Sequence, residues 1–126
     1  MVHQNSLTAY RALNLTKAQE RVMRAILANT KAGKPSTNST LTDHNIMPNE
    51  ASPRTGELLQ ISEEGNAFVL DGEEYALVVV GTQLNPRTNR PADKLEVVPF
   101  AVVRTKFLAE KARRKQIYGV QETLFV

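Results

Sequence analysis

The side chains that could do covalent or acid–base chemistry are few and scattered. The 126-residue chain has two histidines and no cysteine. Disulfides and thiolate metal sites are therefore excluded. His44 follows Asp43, but adjacent residues on a turn do not face each other as a working acid–base pair must, so His44 reads as a turn residue. The carboxylate pairs Glu63-Glu64 and Glu73-Glu74 have no histidine or third acid at ligand spacing, which argues against a metal centre. There is no phosphate-cradling glycine loop and no Gly-x-Ser-x-Gly elbow. The expectation is a protein that is not an enzyme, with no catalytic residue, no metal and no cofactor.

What remains is cationic and hydrogen-bonding chemistry, and it is unevenly spread. Residues 1–42 carry six bases against Glu20, a net +5, whereas residues 43–74 carry Arg54 against eight acids, a net −7. Residues 101–126 carry six bases against Glu110 and Glu122, a net +4. Basic ends suit a polyanion partner. The acidic middle would suit a basic protein surface instead. No apolar run approaches the roughly 18 residues of a membrane span, and residues 1–6 lack the apolar core of a signal peptide. A cytoplasmic protein is expected, in the host cytoplasm if phage encoded, with no membrane partner.

These residues need elements to position them. Residues 6–14 read as a short helical turn with Leu7, Tyr10 and Leu13 on one face. Thr16-Lys17-Ala18-Gln19 fits a capping box; Val22, Met23, Ile26 and Leu27 then recur at helical spacing. That helix should fade near Asn29. Ser36 or Thr37 can cap a second, short helix running to about Asp43, followed by a turn whose Ile46 and Met47 point inward. A third helix starts at Asn49 or at Ser52-Pro53 and carries Leu58, Leu59 and Ile61. Residues 67–70 form a short strand. Residues 74–81 are the strongest strand, and 95–100 return alongside it after the polar turn 85–91. A last helix spans about 101–118, with Gly119 as its cap. Three helices followed by a β-hairpin is the order of an α+β winged helix-turn-helix. Residues 1–100 would form this domain, and residues 101–126 a basic C-terminal helix and tail.

Three segments add a resemblance. Ser6-Leu7-Thr8-Ala9-Tyr10-Arg11 through Thr16, with Gln19-Glu20-Arg21-Val22, resembles the opening of small bacteriophage and prophage winged helix-turn-helix proteins. Ser52-Pro53-Arg54-Thr55-Gly56-Glu57-Leu58 is similar to their recognition-helix segment, and Asn85-Pro86-Arg87-Thr88-Asn89-Arg90 to their wing turn. The similarity covers about residues 6–100. Ser62-Glu63-Glu64-Gly65 stands where those proteins usually have Gly-Leu. The resemblance implies a small regulator of transcription that binds double-stranded DNA.

On that reading Thr37, Asn38 and Ser39 touch phosphates from the second helix. Asn49, Ser52, Arg54 and Thr55 face the major groove, where a guanidinium can bind guanine through two hydrogen bonds. Arg87 and Arg90 work from the wing. Lys111, Arg113 and Arg114 extend the contact, or form a solvated helix end. Two uses are open to Arg54, since Glu50 and Glu57 lie at ion-pair spacing on the same helix. Two are also open to Val102, Val103, Phe107, Leu108 and Ile117: a homodimer seam, or closure of the chain's own core. The second functional reading is a phage module that binds and inhibits a host enzyme or defence complex, with Glu63, Glu64, Glu73 and Glu74 facing a basic partner.

Overall fold

The computed structural model describes residues 10–86, 88–106 and 109. The chain is mixed α+β. In order, it runs through β1 (Ala12–Asn14), α1 (Lys17–Lys31), a 3₁₀ helix (Thr40–His44), α2 (Pro48–Glu63), β2 (Ala67–Leu70), β3 (Glu73–Asn85) and β4 (Arg90–Pro99). Residues 100–106 are helical again. The strands form one sheet in the order β1-β2-β3-β4, parallel at β1–β2 and antiparallel elsewhere. No helix among the described residues is long and apolar enough to cross a membrane.

α1 is set up locally. The Thr16 hydroxyl accepts from the Gln19 N–H and the Gln19 side chain accepts from the Thr16 N–H, the reciprocal pair of a capping box. Val22, Met23, Ala25 and Ile26 are buried on one face. They meet Leu41, Ile46, Leu58, Phe68, Leu77, Leu95 and Val97 in the main core, between the helices and one face of the sheet. The other face holds a smaller cluster. There Ala67 and Ala76 pack with Phe100, and the Tyr10 ring lies 4.4 Å from Phe100 with the Arg104 guanidinium over it.

Several expectations are corrected. Residues 12–14 are strand, not helix, because this stretch pairs with β2. Arg11 anchors it, donating its N–H to Asn66 Oδ1 and accepting from the Ala67 N–H. Three residues of pairing to a strand 55 positions away outweigh the local Leu/Tyr spacing. Met47 is exposed rather than inward; Ile46 alone of that pair is buried. α2 begins at Pro48, with Met47 as a cap that offers no side-chain bond. Proline at the first helical position gives up no needed donor. The second helix is a 3₁₀ turn starting at Thr40, because Ser36 is drawn into an antiparallel bridge with Leu95 of β4.

The sheet's donors are closed by side chains where strands run out. The β2–β3 pairing ends at Tyr75, and the Leu77 N–H donates to Ser62 Oγ at 2.9 Å. On the far side of β4, the Val97 N–H donates to Thr30 Oγ1 and the Leu95 N–H to the Ser36 carbonyl.

Candidate nucleic-acid interface

Four of the residues singled out from the sequence, Thr37, Asn38, Ser39 and Thr55, line clefts where α2, the 3₁₀ segment and the β3–β4 hairpin meet. The stretch from Asn38 to Ser39 and the hairpin residues Asn85 and Ala92 line two adjoining clefts. The smaller, about 340 Å³, also takes Thr55 and Leu59 of α2. The larger, about 510 Å³, is lined by hydroxyls, amides and apolar groups, with no charged residue.

Not every expected side chain reaches this surface. Thr37 and Thr55 are 5% and 3% exposed. Thr37 is spent on the 3₁₀ turn: its hydroxyl accepts from the Thr40 N–H, and the Thr40 hydroxyl accepts from the Thr37 N–H. The Thr55 hydroxyl shares its proton between Asn38 Oδ1 and the Ser52 carbonyl, tying α2 to the loop before the 3₁₀ turn. Both threonines line the clefts, but their hydroxyls are bonded within the protein. Ser39, Asn49, Ser52 and Arg90 are exposed, and Asn38 and Arg54 half-exposed. Arg87, Lys111, Arg113 and Arg114 lie outside the described residues, as do residues 6–9 and Phe107, Leu108 and Ile117 of the expected C-terminal helix. Val103 packs toward Phe100, while Val102 is exposed.

Arg54 takes the ion-pair option here, with Nη1 2.9 Å from Glu57 Oε1. Glu57 also accepts from Gln19 Nε2 of α1. Glu50 pairs with Arg21 of α1 at 2.9 Å. Asp71, in the β2–β3 turn, is gripped by Arg24, which also holds Glu20. The Arg24 hydrogen bonds hold the Asp71 carboxyl below its usual range and push the guanidinium up in return. Glu74 and Glu73 accept from the Tyr10 and Tyr75 hydroxyls, which raises both phenols. Much of the acidic middle is thus engaged by other groups of the same chain, at the surface.

The consequence for α2 is a particular solvent face. Pro48, Asn49, Ser52, Pro53, Gly56 and Gln60 are its exposed positions before Glu63. They are small or polar and carry no charge. A Cβ built at Gly56 would meet nothing within 4 Å. The acids Glu50 and Glu57 are half-buried and tied back to basic or amide groups. At the hairpin tip Asn89 has φ 54° and its N–H is bonded to the Asn85 carbonyl. Asparagine tolerates this left-handed conformation better than most residues.

Sequence reasoning missed the counter-charge role of Arg21 and Arg24. Only the Glu20–Arg24 link, at i,i+4 spacing, had a local signal. It also missed Gln83 and Ala92 as cleft walls, because strand register decides which hairpin residues reach the helices. His44 sits at the end of the 3₁₀ turn with Nε2 2.9 Å from Asn29 Oδ1. Among the described residues no three His, Cys, Asp or Glu come together as a metal site would need.

Comparison with protein-family models, curated proteins and solved structures finds no match to this chain.

Proposed function

We propose that this chain is a winged helix-turn-helix protein that binds double-stranded DNA and regulates transcription in the manner of small bacteriophage proteins. α1, the 3₁₀ turn and α2 would be the three helices, α2 the recognition helix and the β3–β4 hairpin the wing. The Ser36–Leu95 bridge supports this reading, since it docks the segment between the first two helices onto the hairpin. It has no catalytic role in this view.

The observation that carries the proposal is the solvent face of α2. Eight acids in 32 residues would repel a phosphate backbone if they surrounded that helix. Instead Glu50, Glu57 and Asp71 are paired with arginines, leaving a neutral face of Asn49, Ser52, Gly56 and Gln60 open to a groove. Small side chains permit close approach to base edges. Arg54 is the base reader on this reading. Its pair with Glu57 is partly solvated, and such pairs are worth only about 0–1 kcal/mol, so exchange for a guanine edge is cheap. Arg90, with Arg87, would serve phosphates beside the wing, and Ser39 a phosphate at the start of the 3₁₀ turn.

The test is binding to random-sequence duplex across a salt series, followed by selection of a preferred site. Affinity should fall with salt at a log–log slope of roughly −0.9 per phosphate contact. Arg90→Ala should weaken all duplexes alike, while Arg54→Ala should cost about 1–3 kcal/mol at the preferred site only. No binding at low salt would overturn the proposal. An unaltered preferred site in Arg54→Ala would remove the recognition-helix assignment.

A second reading, a module that binds and inhibits a host protein, draws on Glu63 and Glu64, exposed side by side at the end of α2. Glu73 and Glu74 are also exposed, each accepting one hydrogen bond from a tyrosine hydroxyl. Neutralising Glu63 and Glu64 would abolish such an interaction and leave DNA binding unchanged.

A further inference from the structure

α1 reaches α2 through two acids, Glu50 and Glu57, that stand two turns apart on one side of that helix. Glu50 takes a guanidinium, that of Arg21. Glu57 takes an amide instead, with Gln19 Nε2 2.9 Å from its Oε2. The same Gln19 caps α1, where its Oε1 accepts from the Thr16 N–H at 3.1 Å. The cap needs only that oxygen. Glutamate fills the same place in a capping box, and its charge suits a helix N-terminus. The local demands of α1 therefore do not select the NH₂ group of Gln19. Glu57 does.

Glu57 passes the constraint on to Arg54. Arg54 Nη1 donates to both carboxylate oxygens, at 2.9 and 3.1 Å. An exposed ion pair loses side-chain entropy to hold one geometry; here the carboxylate is already fixed from a second helix. At 3.6 residues per turn Glu57 lies about 60° nearer than Arg54 to the open face of α2. The Arg54 side chain, rooted on the flank toward α1, is thus drawn round toward Asn49, Ser52, Gly56 and Gln60. Only Nη1 is used. Among the described residues nothing accepts from Nε or Nη2, which form a two-donor edge of the guanidinium. Guanine O6 and N7 are the matching pair of acceptors. The pair with Glu57 is cheap to exchange, but on this edge a base is read without exchange.

Building on the DNA-binding reading of α2, we propose that Gln19 is a positioning residue for base recognition: through Glu57 it holds the Arg54 guanidinium with its Nε–Nη2 edge open to a guanine in the major groove. Gln19 itself touches no base. It fixes where the two donors point and adds nothing to phosphate attraction. Its loss therefore lowers discrimination between bases more than it lowers affinity for duplex in general.

The test is made at the base pair where Arg54→Ala no longer distinguishes guanine from adenine. Discrimination there is the ratio of the Kd values of the two duplexes. Gln19→Glu keeps the cap oxygen and replaces the donor by a carboxylate that repels Glu57. The ratio should fall at least about threefold, and the effect of the added charge on phosphates cancels in it. Glu57→Ala should do the same. Thr16→Ala is the structural control, since it weakens the cap and leaves the Gln19 amide on Glu57. Its urea midpoint should drop while the ratio holds. In the free protein, NMR relaxation of the Arg54 Nε–H should show a restrained group in the wild type and in Thr16→Ala, and a mobile one in Gln19→Glu. If Arg54→Ala loses discrimination and Gln19→Glu keeps it, the role of Gln19 is overturned and the DNA-binding reading stands. A preferred complex that tightens in Gln19→Glu has the same meaning, because Arg54 would then act by leaving Glu57. Equal loss of discrimination in Thr16→Ala also overturns the proposal, by making the effect one of helix integrity. A wild type that binds no duplex removes the DNA-binding reading and this role with it.

Discussion

α1 and α2 are helices of similar length put to opposite uses. α1 has a full capping box, a clean apolar face and arginines that reach out to Glu50 and Asp71. α2 has no side-chain cap, a proline inside it and a glycine at an exposed position. Its ionic partner Arg54 is used on its own Glu57. The difference teaches that α1 organises the molecule while α2 is held in place by it. A helix with weak local signals can still be well defined if its buried positions, Ala51, Thr55, Leu58 and Ser62, are engaged by neighbours. Its outer face is then free to be chosen for something other than helix propensity.

The contrast can be broken most directly at Ile26 of α1, which is fully buried in the main core. Ile26→Ala should cost about 2–5 kcal/mol, read by urea unfolding. A loss under 1 kcal/mol would mean that α1 is not the organising helix. Next in size is Ser62→Ala in α2. It strands the Leu77 N–H, whose partner is the buried Ser62 hydroxyl, and should cost about 1–3 kcal/mol. The hydrogen-exchange rate of the Leu77 amide should rise in step; an unchanged rate would show that another acceptor takes over.

The smallest effects sharpen the comparison because they differ in sign. Thr16→Ala removes the cap of α1 and should destabilise by about 1 kcal/mol. Gly56→Ala in α2 meets open space and should stabilise by about 0.5–1 kcal/mol. Chemical denaturation of the pair reads both. If Gly56→Ala also weakens duplex binding while raising stability, the bare spot on α2 is kept for approach to a groove.

The elements with repeated local signals were legible in the sequence. α1 was, because its cap and its apolar spacing agree within one contiguous stretch. β2 and the two hairpin strands were, although β3 and β4 extend further than their apolar runs, to Asn85 and from Arg90. The polar outer half of a hairpin is held by ladder bonds, which leave no hydropathy pattern. Of the candidate site, the exposed Asn49, Ser52 and Arg90 were legible as polar surface, and the Arg54–Glu57 spacing as one of two options.

Tertiary structure alone decided the rest. Residues 12–14 became a strand because β2 lay beside them, and Ser36 left its helix to bridge Leu95. Thr55 was turned inward by a hydrogen bond to Asn38, 17 residues away, which only folding brings near. The acidic run 43–74 reads as a repulsive block in one dimension. In three dimensions, arginines 29 and 47 residues away neutralise it at Glu50 and Asp71. Composition and short-range periodicity are properties of neighbours in sequence and are set by the residues themselves. Charge pairing, edge closure and burial of hydroxyls depend on which distant segments meet, and only the packed core determines that.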